Sequence, residues 1–195
     1  MEYFILGQES FVDEDGEPYG YYYVGPQEDE YTEFPWLGGV RFESPPPDPL
    51  VLHIDSDDAD AGGFADFVSG PVPLVTERLR QALLDAGAAN LEFFPVLVEG
   101  AADFDDCPKY HAINIVGKVA ASDPSKSSGL EAMGGMGATL FDKFVPAVSA
   151  LQDLVIVRMA ENLGEVIVSA RVRKSCARRG VDTVTFVPIS EWRRE

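Results

Sequence analysis

The chain has 195 residues, 46% hydrophobic and 11% aromatic, enough to bury a real core and unlike a disordered chain. Its 33 acidic and 15 basic side chains give a formal net charge of -18, a field that repels nucleic-acid phosphates and anionic membranes, so neither is an expected partner. Residues 1–66 hold 17 acids and one base, Arg41, while the remainder is nearly balanced, so the charge belongs to the N-terminal third.

In chain order, residues 2–6 and 19–24 read as strands, and the turn-rich stretch Asp13, Glu14, Asp15 and Gly16 between them suits a hairpin. The start lacks the basic segment and apolar core of a secretion signal. No later run reaches the roughly 18 apolar residues of a membrane span. A cytoplasmic address is therefore expected. Glu28, Asp29 and Glu30 continue the acidic tract among the aromatics Tyr21, Tyr22, Tyr23, Tyr31, Phe34 and Trp36, residue types more often used for core and sheet surface than for binding. A stiff proline-rich connector over 44–49 leads into a short apolar strand over 50–54. That strand runs into the carboxylates Asp55, Asp57, Asp58 and Asp60. In calcium-loop register from Asp55, Ala59 falls on a ligand position, Asp60 on the turn glycine and Asp66 on the bidentate glutamate. The loop does not fit, and no metal or other cofactor is expected. Residues 64–68 read as a short helix.

The next segment is stated twice. At a constant offset of 93, Val75, Arg78, Arg80, Gly87, Phe93 and Pro95 recur as Val168, Arg171, Arg173, Gly180, Phe186 and Pro188. Chance supplies roughly one or two identities in such a window. Thr76 and Ser169 suit N-caps, and Gly87 and Gly180 suit the left-handed residue that closes a helix. Leu79, Ala82 and Leu83 fall on one helical face, as do Val172 and Cys176 in the second copy. Each copy then reaches a proline in a β-rich segment, which suits a strand end or edge. Cys176 stands in the slot of Leu83 and reads as a small buried hydrophobe.

Residues 111–119 read as a strand in which His111 alternates in phase with Ile113 and Ile115. A glycine-rich stretch over 129–137, a partly helical segment over 138–151, a strand over 154–159 and a turn at 162–164 lead to the second copy. Trp192 can anchor the short tail. The sum is an α+β fold, a mixed, mostly antiparallel sheet with two duplicated helix–strand units at 75–96 and 168–189. An acidic, aromatic-rich lobe over 1–66 is expected to pack on an α+β domain over 67–195.

Catalysis finds no constellation. His53 and His111 have no metal-hydrolase spacing. Gly134, Gly135 and Gly137 lack the lysine of a phosphate loop, and Cys107 has no activating neighbour in sequence.

The segments PLVTERLRQAL (73–83), LEFFPV (91–96), YHAINIV (110–116), Asp123 near Ser125, and VIVSARVR (166–173), in this order, resemble a bacterial immunity-protein family. Its members lie beside toxin genes in polymorphic toxin systems, including those of myxobacteria. The resemblance covers about residues 67–190; Ser175 to Arg179 are more basic than the family's helix, and the acidic third lies outside it. It implies a non-enzymatic protein that binds and blocks a cognate toxin in the producing or sibling cell, a role in bacterial competition and kin discrimination.

Charge adds a mechanism. Toxins that cut nucleic acid carry a basic groove, because phosphate neutralisation dominates such binding, and an acidic inhibitor steers rapidly onto it. The expected partner is a basic toxin, a nuclease, encoded by a neighbouring gene. Expected contacts are Asp13, Glu14, Asp15, Glu28, Asp29, Glu30, Asp55, Asp57, Asp58 and Asp60, with Tyr21, Tyr31 and Trp36 as aromatic anchors. Two rival readings are an adaptor or chaperone that binds a secreted protein without inhibiting it, and a metal-dependent hydrolase on His53 and the nearby aspartates.

Overall fold

The computed structural model describes residues 2–9, 11–12, 18–27, 30–55, 63–128, 131–133 and 138–192, with the backbone alone at 11–12, 18–19, 55, 131–133, 138 and 140. Its strands are β1 (Tyr3–Gln8), β2 (Phe11–Val12), β3 (Pro18–Tyr19), β4 (Tyr23–Gly25), β5 (Leu50–Asp55), β6 (Phe67–Val68), β7 (Leu74–Thr76) and β8 (Leu91–Glu99). Then come β9 (Tyr110–Ile115), β10 (Lys118–Val119), β11 (Glu131–Met133), β12 (Ala138–Leu140), β13 (Ile156–Met159), β14 (Asn162–Ser169) and β15 (Val184–Pro188). The helices are α1 (Glu77–Asp85) and α2 (Ala170–Arg179). The fold is α+β. One sheet runs β10-β13-β14-β1-β15, with β12 and β11 added beside β14; the other runs β4-β5-β8-β9-β7-β6, and β2 pairs only with β3. Pairing is mostly antiparallel, with β5–β8 and β10–β13 parallel.

The two helices occupy the same topological place. α1 carries the chain from β7 to β8, and α2 carries it from β14 to β15. A helical crossover lets two strands run parallel, and in each case a third strand, antiparallel to both, fills the slot between them. That strand is β9 in the first unit and β1 in the second. The registers correspond residue for residue. His111 lies opposite Val75 and Pro95, while Phe4 lies opposite Val168 and Pro188. Tyr110 faces Thr76 as Tyr3 faces Ser169.

α1 and α2 pack on each other, and Arg179 joins their C-terminal ends through Asp85 at 2.6 Å. Leu79, Ala82, Leu83, Val172 and Cys176 share one buried cluster with Phe4 and Val168 of one sheet and Ile113 and Ile115 of the other. Burying a side chain of this size stabilises by about 1.5–3 kcal/mol, so the helices are held chiefly by this shared core. A second cluster gathers Val24, Trp36, Leu50, Leu52 and Tyr110; a third gathers Ile5, Val157, Ile167 and Trp192.

Several local expectations are corrected. Residues 67–68 form strand β6 in place of a helix, and 138–151 give β12 and a single 3-10 turn at Val148–Leu151. The strand expected over 111–119 breaks at Gly117, whose φ of +108° turns Lys118 and Val119 into the other sheet. Pro95 sits inside a central strand. It closes the ladder with β9, and pairing with β5 begins at the next residue, Val96, so the strand changes partners at the proline. The strands expected over 2–6 and 19–24 do not pair with each other; the described strands on either side of residues 13–17 are β2 and β3, which pair antiparallel. β1 lies in the middle of one sheet, between β14 and β15, and β5 pairs with β8 in the other.

Candidate functional site

Asp66 marks where the N-terminal third plugs into α1. Its side chain is fully buried. It accepts from the Thr76 hydroxyl, from Arg78 Nε at 2.6 Å and from the Thr183 hydroxyl at 2.8 Å. Arg78 also reaches Asp182 at 3.0 Å, and the bond to Asp66 holds its guanidinium above its ordinary pKa. A charge out of water persists only when matched this fully.

The motif strand β9 supplies three more ties. The Tyr110 hydroxyl donates to the Ala65 carbonyl at 2.7 Å. His111 Nε2 lies 2.6 Å from the Glu77 carboxylate in the first turn of α1. Asn114 donates to the Val40 carbonyl at 2.9 Å and to Glu92 at 2.8 Å. Burial lowers the His111 pKa, opposed by Glu77. The Glu77 carboxyl is held low first by a bond from Gln81, then by His111. Asp123 accepts from the Ser125 amide and hydroxyl and from Lys126, and these bonds, Lys126 foremost, hold it near about 2. The resembling motifs thus serve as scaffold: the polar groups of β9 tie it to other segments, and Asp123 closes its own turn.

β5 and β8, running parallel, end side by side. His53 on β5 lies 3.5 Å from Glu99 on β8. β8 is followed by the exposed Asp103, Asp105 and Asp106, and β5 ends at Asp55. The acids after Glu99 lie beyond the N-terminal third, so the contact residues expected from that third left them out, although their spacing is plain in the sequence. Arg41, the one base of that third, is engaged by Glu92 at 2.7 Å.

Of the expected contact residues, Asp13, Glu14, Asp15, Glu28, Asp29, Asp57, Asp58 and Asp60 lie outside the described residues. Glu30 is exposed and accepts from the Gln27 amide at 3.2 Å. Asp55 pairs through its backbone with Tyr23. Tyr21 is 7% exposed and Trp36 2%, both inside the second core cluster, with Trp36 edge-on to Phe42 and Phe94. The Tyr31 hydroxyl bonds the Val51 amide at 3.1 Å and its carbonyl at 3.2 Å, supporting β5 from the side. Tyr23, passed over in the sequence, is the exposed tyrosine of the triplet, at 39%.

His53 and His111 thus stand in two separate glutamate pairs. Among the described residues, no three His, Cys, Asp or Glu side chains group closely enough to hold a metal ion. Burial pushes the Cys176 thiol up to about 12, as befits a core residue. A cavity of about 650 Å³ lies between Gly87, Asn90, Gly117 and Leu154 and is walled mainly by apolar surface. No described helix is long and apolar enough to cross a membrane.

The sequence model of the immunity protein family (Imm11) matches residues 39–191. The match begins well before the resemblance noted from residue 67, taking in β5 along with both helices. Among curated proteins, none matches the chain.

Proposed function

The chain belongs to the Imm11 immunity protein family, and from that membership we propose that it binds a cognate toxin in the cytoplasm and neutralises it without catalysing a reaction. The observation that carries this reading is the family match over residues 39–191, which spans both helices and most of both sheets. Charge supports a finer reading, in which the toxin is basic and acts on nucleic acid. The first 66 residues hold 17 acids and one base, and that base is already matched by Glu92. The ends of β5 and β8 add Glu99, Asp103, Asp105 and Asp106 to the same sign of field. An acidic inhibitor attracts a basic partner over a Debye length of about 8 Å at physiological salt and gains mostly in association rate.

Co-expression with the product of the adjacent gene tests both levels. Host survival together with a co-purifying complex that salt weakens is the expected result. A complex that forms without toxicity or rescue favours an adaptor, and neither effect sinks the immunity reading. Reversing Asp55, Asp57, Asp58 and Asp60 to lysine should slow association severely at low salt; unchanged kinetics would remove those four from the interface.

A further inference from the structure

The two units differ in one way that creates a surface. β15 stops at Pro188, whereas β8 passes the corresponding Pro95 and runs on to Glu99, supported by β5 through Leu50–Val96, Val51–Leu97, Leu52–Val98 and His53–Glu99. α1 has nine residues, about 14 Å of helix, and β8 has nine residues, about 30 Å of strand. The helix cannot cover that length. Leu91 and Phe93 pack against the shared helix core, and beyond them the strand's alternation leaves Pro95, Leu97 and Glu99 outward while Val96 and Val98 turn inward. Leu97 is 52% exposed, the highest value among the large hydrophobics of the described residues. Val51 flanks it on β5. Tyr23 lies across Gly25, the register partner of His53, where any added side chain would collide with its ring.

Apolar and aromatic groups with an acidic rim at one end are the composition of a recognition surface rather than of scattered exposed residues. The rim is Glu99, whose side chain is 60% exposed, with Asp103 following in the next loop. We propose that this outer face of β4, β5 and β8 is where the cognate toxin docks, with Leu97 and Tyr23 as anchors and Glu99 meeting a cation on the toxin. The proposal rests on the immunity reading and deepens it. The sign of the rim selects a partner with basic groups beside an apolar contact.

The test uses the full chain with the product of the adjacent gene, measuring host rescue and binding kinetics for Leu97→Arg, Glu99→Lys and, as an exposed control on the other sheet, Val187→Arg. Leu97→Arg should weaken binding about thirtyfold or more and abolish rescue. Glu99→Lys should slow association about tenfold at low salt. Val187→Arg should change neither. Thermal melts check the fold, and Tyr23→Ala takes the place of Leu97→Arg if that variant does not fold. If the wild type rescues and the face variants bind as tightly, the docking face is overturned while immunity stands. If Val187→Arg is as damaging as Leu97→Arg, the effect is not local and the face is again overturned. If the wild type neither binds nor rescues, the immunity reading and the docking face fall together.

Discussion

In the first strand–helix–strand unit, polar side chains fasten the helix start; in the second, the cap side chain takes no part and the Ala170 amide donates to the Glu2 carbonyl at 3.0 Å. Thr76 caps α1 by accepting from the Leu79 amide at 3.3 Å, and it donates in turn to the buried Asp66. Ser169 occupies the corresponding N-cap of α2, but its side chain makes no cap bond and its buried hydroxyl has no partner. Both helices close on a glycine with positive φ, +87° at Gly87 and +65° at Gly180. One backbone arrangement therefore tolerates two solutions at the helix start. The polar solution stands where segments from elsewhere converge, since Asp66 precedes β6 and Thr183 precedes β15.

The sharpest way to break this comparison is to remove the hub. Asp66→Ala leaves Arg78, Thr76 and Thr183 facing one another without their acceptor and should cost about 3–5 kcal/mol. Denaturant unfolding measures it; a loss below about 1 kcal/mol would mean that water replaces the carboxylate and that the tie is weak. The shared core gives the next effect. Leu83→Ala should cost about 2–5 kcal/mol, and Cys176→Ala, at the corresponding position, about 1 because far less volume is removed. Equal costs would show that the two helices do not share their core in the way the register implies.

The caps follow. Thr76→Ala should destabilise by about 1–2 kcal/mol, since a helix amide and Asp66 both lose a partner. Ser169→Ala should be neutral or stabilising, because it deletes a buried hydroxyl that bonds nothing. Comparable losses at the two sites would indicate that Ser169 is satisfied in solution and that the contrast between the helix starts is spurious.

What the sequence discloses divides along a physical line. Thr76, Gly87 and Gly180 are readable because caps and left-handed glycines depend on a few neighbouring residues. The insertion of β1 between β14 and β15 is not readable this way, because the partners are more than 150 residues apart and β9, which fills the same slot in the first unit, comes after its helix. That Tyr23 rather than Tyr21 is the exposed tyrosine is not readable, because β4 begins only at Tyr23 and strand alternation cannot be carried back to Tyr21. Pro95 misled for a related reason. A proline bars a strand from the middle of a sheet only if a partner needs its amide, and at Pro95 the partner changes. The excess of acids was readable as composition, but the placing of Glu99 beside His53 and of Leu97 beside Val51 depends on β5 lying beside β8.

The slot strands offer the mildest test. Phe4 and His111 hold corresponding places, and Arg173 stacks 5.0 Å from the Phe4 ring centre. In the first unit Arg80 stacks 5.1 Å over Phe93 instead, and His111 meets Glu77. Burial depresses the imidazole pKa more than Glu77 raises it, with Arg80 and Lys109 adding to the depression. A base whose pKa is lower in the folded chain takes up protons more readily when unfolded. Its contribution to stability is complete above its ordinary pKa of about 6.5, and it is lost as pH falls through that value toward the depressed one. His111→Phe, which installs the residue of the other unit, should remove that part of the decline between about pH 7 and 5, where Glu77 stays ionised. Parallel stability–pH curves for the two proteins would show that His111 is not the titrating group. A steeper decline in the variant would show that the Glu77 contact, not burial, sets the balance.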